Sequence, residues 1–176
     1  MKTIILTVFF LTVLLRLISS VISGINERKL KKMGAVEYGK RNSLLLIVAH
    51  VLFYLACITE GTMKGAFFYD GISYLGLAVF AAAVVVLYYV IYSLRHIWTL
   101  KLIIAPADYH TINKSALFRL VRHPNYYLSV LPELVGFALL FHAWITLVIG
   151  MAIYLVPLLT RIREEEKVMK LQFNDY

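Results

Sequence analysis

Two short stretches of this chain concentrate residue types that do chemistry. One is Arg122-His123-Pro124-Asn125-Tyr126-Tyr127, at the mouth of an apolar run; the other is Arg161-Ile162-Arg163-Glu164-Glu165-Glu166, at the end of one. Pro124 has no amide hydrogen and fits the first turn of a helix, so this stretch reads as a helix start with His123 or a neighbour as its cap. Free amides and the positive end of the helix dipole, with Arg122 and His123 beside them, attract anions, carboxylates included. In the second stretch Arg161 precedes Glu165 by four residues, which puts both on one helical face. Singly, such residues serve as snorkelling cations, an interfacial aromatic belt or an exposed helix stitched by ion pairs. Gathered at one surface, they can close a polar pocket.

A third group lies inside apolar runs, where charge costs several kcal/mol unless it is neutralised, paired or wetted. Glu133 stands about two turns inside its run, and Arg16, His50 and Glu60 raise the same question. Arg16 is one available partner for Glu133 across a bundle. Glu60 is near the end of its run and within reach of water, and a lone histidine such as His50 is commonly a hydrogen-bonded core residue.

The elements that must position these residues follow from composition. The 176 residues are 61% hydrophobic and 16% charged, with a mean hydropathy of +0.77. That is far more apolar than a soluble domain and identifies an integral membrane protein. Apolar runs at 3–23, 43–63, 71–94 and 126–160 are long enough to cross a bilayer, which takes about 20 helical residues. The last is too long for one crossing and holds Pro132, Gly136, Gly150 and Pro157, so it reads as a helical hairpin broken near His142. The expected fold is all-α, with about five transmembrane helices. At this length the chain reads as a single domain, 1–176, with N-terminal spans in 1–94 and the chemistry-bearing part in 95–176. The first run carries Arg16 and lacks a convincing cleavage site, so it reads as a retained helix and not a removed leader.

Orientation follows from lysine and arginine. The 24–42 connection, the 95–125 connection and the tail after 160 hold nearly all of them, whereas Lys2 and Lys64 lie on the other side. The positive-inside rule then puts the N-terminus out and the C-terminus in the cytoplasm, in keeping with an odd number of spans. The net charge of +8 reads as topology signals facing anionic lipid headgroups, with no nucleic-acid partner implied. Cys57 is the one cysteine, inside an apolar run, and reads as a buried small hydrophobe. His50, His96, His110, His123 and His142 show no metal-ligand spacing, and no GxSxG, P-loop or GxGxxG occurs. Transport is a weaker fit, since five spans lack the paired halves of inverted repeats.

RHPNYY followed by a span and then R-I-R-E-E-E resembles the isoprenylcysteine carboxyl methyltransferase family, over about residues 85–176. The family pattern of H-x-L/I, then G-x-Y, then RHPxY is similar to HTINKSALFRLVRHPNY, with Ala116 in the usual glycine place and Phe118 in the tyrosine place. The resemblance implies an enzyme that uses S-adenosylmethionine and needs no metal. It implies that His110, Thr111, Ile112, Asn113, Phe118, His123, Pro124, Asn125, Tyr126 and Glu165 surround that cofactor, with Arg122 and Glu166 beside them. It implies further that Arg161 faces the methyl acceptor, that Arg161 and Glu165 carry the catalytic work, and that the C-terminal helix closes a cytoplasmic cofactor pocket. The stretch WTLKLIIAP is similar to a bacterial subgroup acting on alkylpyrones. The implied acceptor is thus a lipophilic carboxylate or acidic hydroxyl drawn from the bilayer, prenylcysteine-like or alkylpyrone-like. A bacterial plasma membrane is the expected location, or the endoplasmic reticulum if the source is eukaryotic. No protein partner is called for. Two other readings stand beside this one: a non-enzymatic membrane bundle that binds lipid or partners, and a phospholipid amine N-methyltransferase.

Overall fold

Backbone amides in hydrocarbon find no water to bond, so an apolar run must satisfy its own amides and becomes a helix. The computed structural model describes residues 2–65, 70–104 and 121–172. Its helices are α1 (Lys2–Lys32), α2 (Lys40–Met63), α3 (Gly71–Leu94), α4 (Leu131–Leu140) and α5 (Met151–Gln172). A π-helical turn, Asn125–Val130, leads into α4, and a second, Thr146–Gly150, leads into α5. Leu6–Lys32, Lys40–Met63, Gly71–Leu94 and Thr146–Leu171 are each long and apolar enough to cross a membrane, and Asn125–Leu140 is a shorter apolar helix. This is an all-α multi-pass membrane protein.

The helices depart from the expected spans in two places. α1 continues past residue 23 to Lys32, where Lys29, Lys31 and Lys32 oppose the negative end of its dipole. The Asn125–Leu140 helix covers about 24 Å at 1.5 Å per residue, less than the roughly 30 Å of hydrocarbon.

The last two helices do form a hairpin at His142. The α4 C-terminus closes with His142 at φ 51, its N–H donating to Leu139 O at 3.1 Å and that of Ala143 to Ala138 O at 2.9 Å. The next helix is capped from α2: the Glu60 carboxylate accepts from the N–H groups of Ile145 and Thr146 and from the Thr146 hydroxyl. Glu60 thus satisfies amides that a helix start leaves open.

Between apolar helices in lipid the hydrophobic effect offers little, and close packing and polar contacts decide association. α3 and α4 meet backbone to backbone at Gly76 and Gly136. A Cβ on Gly76 would lie 2.4 Å from Leu140 N, and one on Gly136 would lie 2.5 Å from Phe80 N. Beside this crossing the Tyr54 and Phe137 rings stack at 4.0 Å, with Phe80 edge-on to Phe137 at 5.4 Å. Cys57 is buried in the same cluster.

The unexpected element is a small antiparallel ribbon. β1 (Val36–Tyr38) pairs with β2 (Leu102–Ile104) in the register Val36↔Ile104 and Tyr38↔Leu102. Tyr38, Leu102 and Ile104 pack on Val168 and Met169 of α5. The ribbon therefore ties the connection after α1, the connection after α3 and the end of α5 into one surface.

Candidate active site

The π-helical turn places the first functional side chains. Pro132 has no N–H and its ring crowds the carbonyl four residues back, and the widened turn before it accommodates this, with Leu131 N–H donating to Tyr126 O. His123 does accept the first backbone bonds, from the N–H groups of Tyr126 and Tyr127, but through its carbonyl. No side chain caps this helix start. The His123 ring is left to turn inward, 5% exposed.

There it meets the end of α5. His123 Nε2 stands 3.4 Å from Glu166 Oε1, and Nδ1 stands 3.5 Å from Glu165 Oε1 without hydrogen-bond alignment. Burial opposes a charged imidazole, but the two carboxylates outweigh it and hold the His123 pKa above its ordinary 6.5. The Tyr126 ring lies beside that of His123, and its hydroxyl donates to Glu165 Oε2 at 2.7 Å.

Tyr126 is also the link to Arg161. The Arg161 Nε donates to the Tyr126 hydroxyl at 3.2 Å, Nη1 to Ser43 Oγ at 2.6 Å, and Nη2 to the Leu100 carbonyl at 3.4 Å. The face shared by Arg161 and Glu165 is thus bridged by a phenol, and the two form no direct pair. Arg161 is 3% exposed and, among the described residues, is met by two hydroxyls and a carbonyl with no carboxylate in contact. Two of its five N–H donors have no partner in that set.

The Leu100 carbonyl is held in place from α1. Asn26 Nδ2 donates to the carbonyls of Arg95 and Trp98, and Ser23 Oγ accepts from Leu100 N–H. Two buried polar residues late in α1 therefore shape the turn that presents Leu100 to Arg161.

A second polar layer lies deeper. Arg16 Nε donates to Glu133 Oε1 at 2.6 Å and Nη1 to Ser19 Oγ at 2.9 Å. The Tyr54 hydroxyl also donates to Glu133, and His50 Nε2 stands 3.5 Å from it while Nδ1 lies 3.4 Å from the Tyr154 hydroxyl. Glu133 is fully buried. The two layers are related by spacing: Ser43 and His50 on α2, Tyr126 and Glu133, and Tyr154 and Arg161 on α5 are each seven residues apart. Seven residues are two helical turns, about 10 Å, so each helix contributes one residue to each layer.

Of the residues singled out in the sequence, His123, Tyr126, Arg161, Glu165 and Glu166 come together. Pro124 starts the helix, and Asn125 has a buried Oδ1 with no hydrogen-bond partner among the described residues. Arg122 is exposed and makes no contact with this group among the described residues. His110, Thr111, Ile112, Asn113 and Phe118 lie outside the described residues. Ser43, Ser23, Asn26 and Leu100 were not anticipated. A single serine at the start of an apolar run carries no signal of its own, and only the seven-residue spacing from His50, matched in the other two helices, could have raised it.

The Isoprenylcysteine carboxyl methyltransferase (ICMT) family model matches residues 74–171. A protein of Haemophilus influenzae, described as uncharacterized, is 46% identical over 155 residues, covering 88% of each chain. The uncharacterized protein YpbQ of Bacillus subtilis is 31% identical over 146 residues, covering 82% of this chain and 84% of its own. No solved structure matches.

Proposed function

Because the chain belongs to the isoprenylcysteine carboxyl methyltransferase family, and so is a membrane methyltransferase, we propose that it uses S-adenosylmethionine to methylate a carboxylate or acidic hydroxyl on a lipophilic acceptor. The observation that carries this reading is the state of Arg161, a buried guanidinium met only by neutral partners among the described residues. Burying a charge without a directly bonded counter-ion is costly; the Glu165 carboxylate is held off beyond the Tyr126 hydroxyl, and an anionic acceptor supplies the direct partner when it arrives.

The residues at the mouth of α4 fit the cofactor. Among the described residues Asn125 Oδ1 and His123 Nδ1 are buried without hydrogen-bond partners, and Glu165 and Glu166 provide negative charge beside them. Such a set suits a ligand that brings an ammonium, a sulfonium and ribose hydroxyls. His123, Asn125, Tyr126, Glu165 and Glu166 would hold it, with Pro124 fixing the turn. When bound, the cofactor supplies an electrophilic methyl group. The work of the chain is then alignment and exclusion of water.

Arg161 orients the acceptor anion with its two spare N–H groups. The Tyr126 hydroxyl accepts from the guanidinium and donates to Glu165, so the acceptor and cofactor subsites share one residue. No strong base is needed, since a carboxylate or acidic enol arrives ionised. A prenylcysteine-like or alkylpyrone-like molecule meets these requirements, and the bilayer is its source. On this reading 1–176 is one domain, in a bacterial plasma membrane, with the basic surface cytoplasmic so that soluble cofactor enters there.

The test is transfer of labelled methyl from S-adenosylmethionine to lipid extracts by detergent-purified protein. Arg161→Ala should impair turnover through the acceptor, and Glu165→Ala should weaken cofactor binding. Unchanged turnover in both variants would refute the assignment.

A further inference from the structure

Beside Arg161 along α5, α2 and α5 leave an open groove. It is lined by Gly39, Lys40, Arg41, Asn42, Leu45, Ala49, Ile153, Val156, Pro157, Thr160 and Glu164. Its lower part is apolar and faces lipid: Leu45, Ile153 and Val156 are 58%, 63% and 67% exposed. Its floor is pinned where Asn42 Nδ2 donates to the Pro157 carbonyl at 3.0 Å. From Lys40 to Ala49 it runs about 14 Å at 1.5 Å per residue, room for a long stretch of acyl chain.

The upper end is built for a head group. The Glu164 carboxylate lies against the backbone of Gly39, so close that a Cβ there would fall 2.1 Å from Oε2. Gly39 also has φ 55, so both its backbone and its lack of a side chain suit this approach. Glu164 Oε2 is buried and, among the described residues, has no hydrogen-bond partner. Burying part of a carboxylate without a donor is a cost, and a cation in the groove beside Glu164 would offset it. Beside the carboxylate Lys40 and Arg41 line the same groove and are exposed, and among the described residues neither forms an ion pair with Glu164. They stand in the first turn of α2, whose start has no side-chain cap, so cations and free amides together favour phosphate.

A purely anionic head group would satisfy Lys40 and Arg41 but meet the Glu164 carboxylate with like charge. A head group carrying both a phosphate and a primary ammonium satisfies all three. We propose that this groove is a resident binding site for an aminophospholipid of the phosphatidylethanolamine type. Its acyl chain lies along Leu45, Ala49, Ile153 and Val156, its phosphate on Lys40 and Arg41, and its ammonium on Glu164. The groove adjoins Arg161, but none of its lining residues is among those placed around the guanidinium or Glu165, so the proposal stands whether or not the chain transfers methyl groups.

Native mass spectrometry of the purified full chain tests this, with phosphatidylethanolamine, phosphatidylglycerol and phosphatidylcholine of matched acyl chains as probes. The choline head group has no N–H, so the ethanolamine lipid should bind roughly tenfold tighter, the worth of a charge-assisted hydrogen bond. Glu164→Gln should erase that preference, while Lys40→Gln with Arg41→Gln should weaken the ethanolamine and glycerol lipids alike. The variants must melt close to the wild-type temperature, which separates lost binding from lost folding. Equal binding of ethanolamine and choline lipids, tighter binding of the glycerol lipid, or an unchanged preference in Glu164→Gln would overturn the proposal. So would labelled methyl appearing on the lipid amine, since the lipid would then be the acceptor and not a resident.

Discussion

Replacing Glu133 by leucine should destabilise the protein more than replacing Arg16 by methionine, and replacing both should recover much of the loss. The Arg16 side chain is 12% exposed and that of Glu133 fully buried, with 2.6 Å between Arg16 Nε and Glu133 Oε1. Removing the carboxylate leaves a guanidinium that cannot shed its proton, and breaking a buried pair this way costs about 3–5 kcal/mol. Removing the arginine leaves a carboxylate that can take up a proton and keeps Tyr54 as a donor, so the cost falls to about 1–3 kcal/mol. With both gone the site is apolar, and such replacements are often close to neutral. At about 2–4 °C per kcal/mol for a chain of this size, Glu133→Leu should melt roughly 6–20 °C below wild type. The assay is thermal unfolding in detergent of the wild type, both single variants and the double variant. A Glu133→Leu variant melting within about 2 °C of wild type, or a double variant as unstable as the two losses added, would refute the reasoning.

Other consequences follow from the same structure. Gly76→Ala should destabilise by about 1–3 kcal/mol through overpacking, because its Cβ would meet Leu140 N at 2.4 Å; Gly71→Ala, with nothing within 4 Å, serves as the control in the same melting assay. Tyr126→Phe removes the hydroxyl between Arg161 and Glu165, so methyl-transfer kcat/KM should fall about 10- to 150-fold for the loss of roughly 1.5–3 kcal/mol in hydrogen bonds to charged groups, measured on the labelled product. His123 has its pKa raised by Glu165 and Glu166, so its contribution to stability is full below pH 6.5 and is lost as pH rises through the raised value. Melting curves across that range should therefore show a decline with pH that His123→Gln lacks.

The helices were legible because apolar run length alone specifies a span, and the hairpin at His142 was legible because no single crossing accommodates 126–160. The Glu133 partnership was legible as a problem, since a buried carboxylate demands a solution, and Arg16 was among the few cations at its depth. The ribbon was not legible. Val36–Tyr38 and Leu102–Ile104 are each three residues, too short for an alternating pattern to register, and their pairing depends on α1 and α3 ending at the same height. Ser43 was hidden for a related reason: its role comes from facing Arg161 across two helices, a relation that exists only once the helices are packed. The role of Tyr126 as bridge was hidden too, because helical spacing joins Arg161 to Glu165 directly and cannot show a phenol from another helix between them. Glu164 was obscured by its neighbours, as a run of three acidic residues reads as one solvated face until α5 turns Glu165 inward and Glu164 toward Gly39.

The central claim is that His123, Tyr126 and the acidic end of α5 hold S-adenosylmethionine. Its most direct test is calorimetric titration of that cofactor and of its demethylated product into purified protein, beside Glu165→Ala and His123→Ala variants shown to be folded at the assay temperature. Saturable binding to the wild type that is lost or strongly weakened in both variants is the result this account predicts. No binding to a folded wild-type sample, in detergent and in lipid nanodiscs alike, would contradict it.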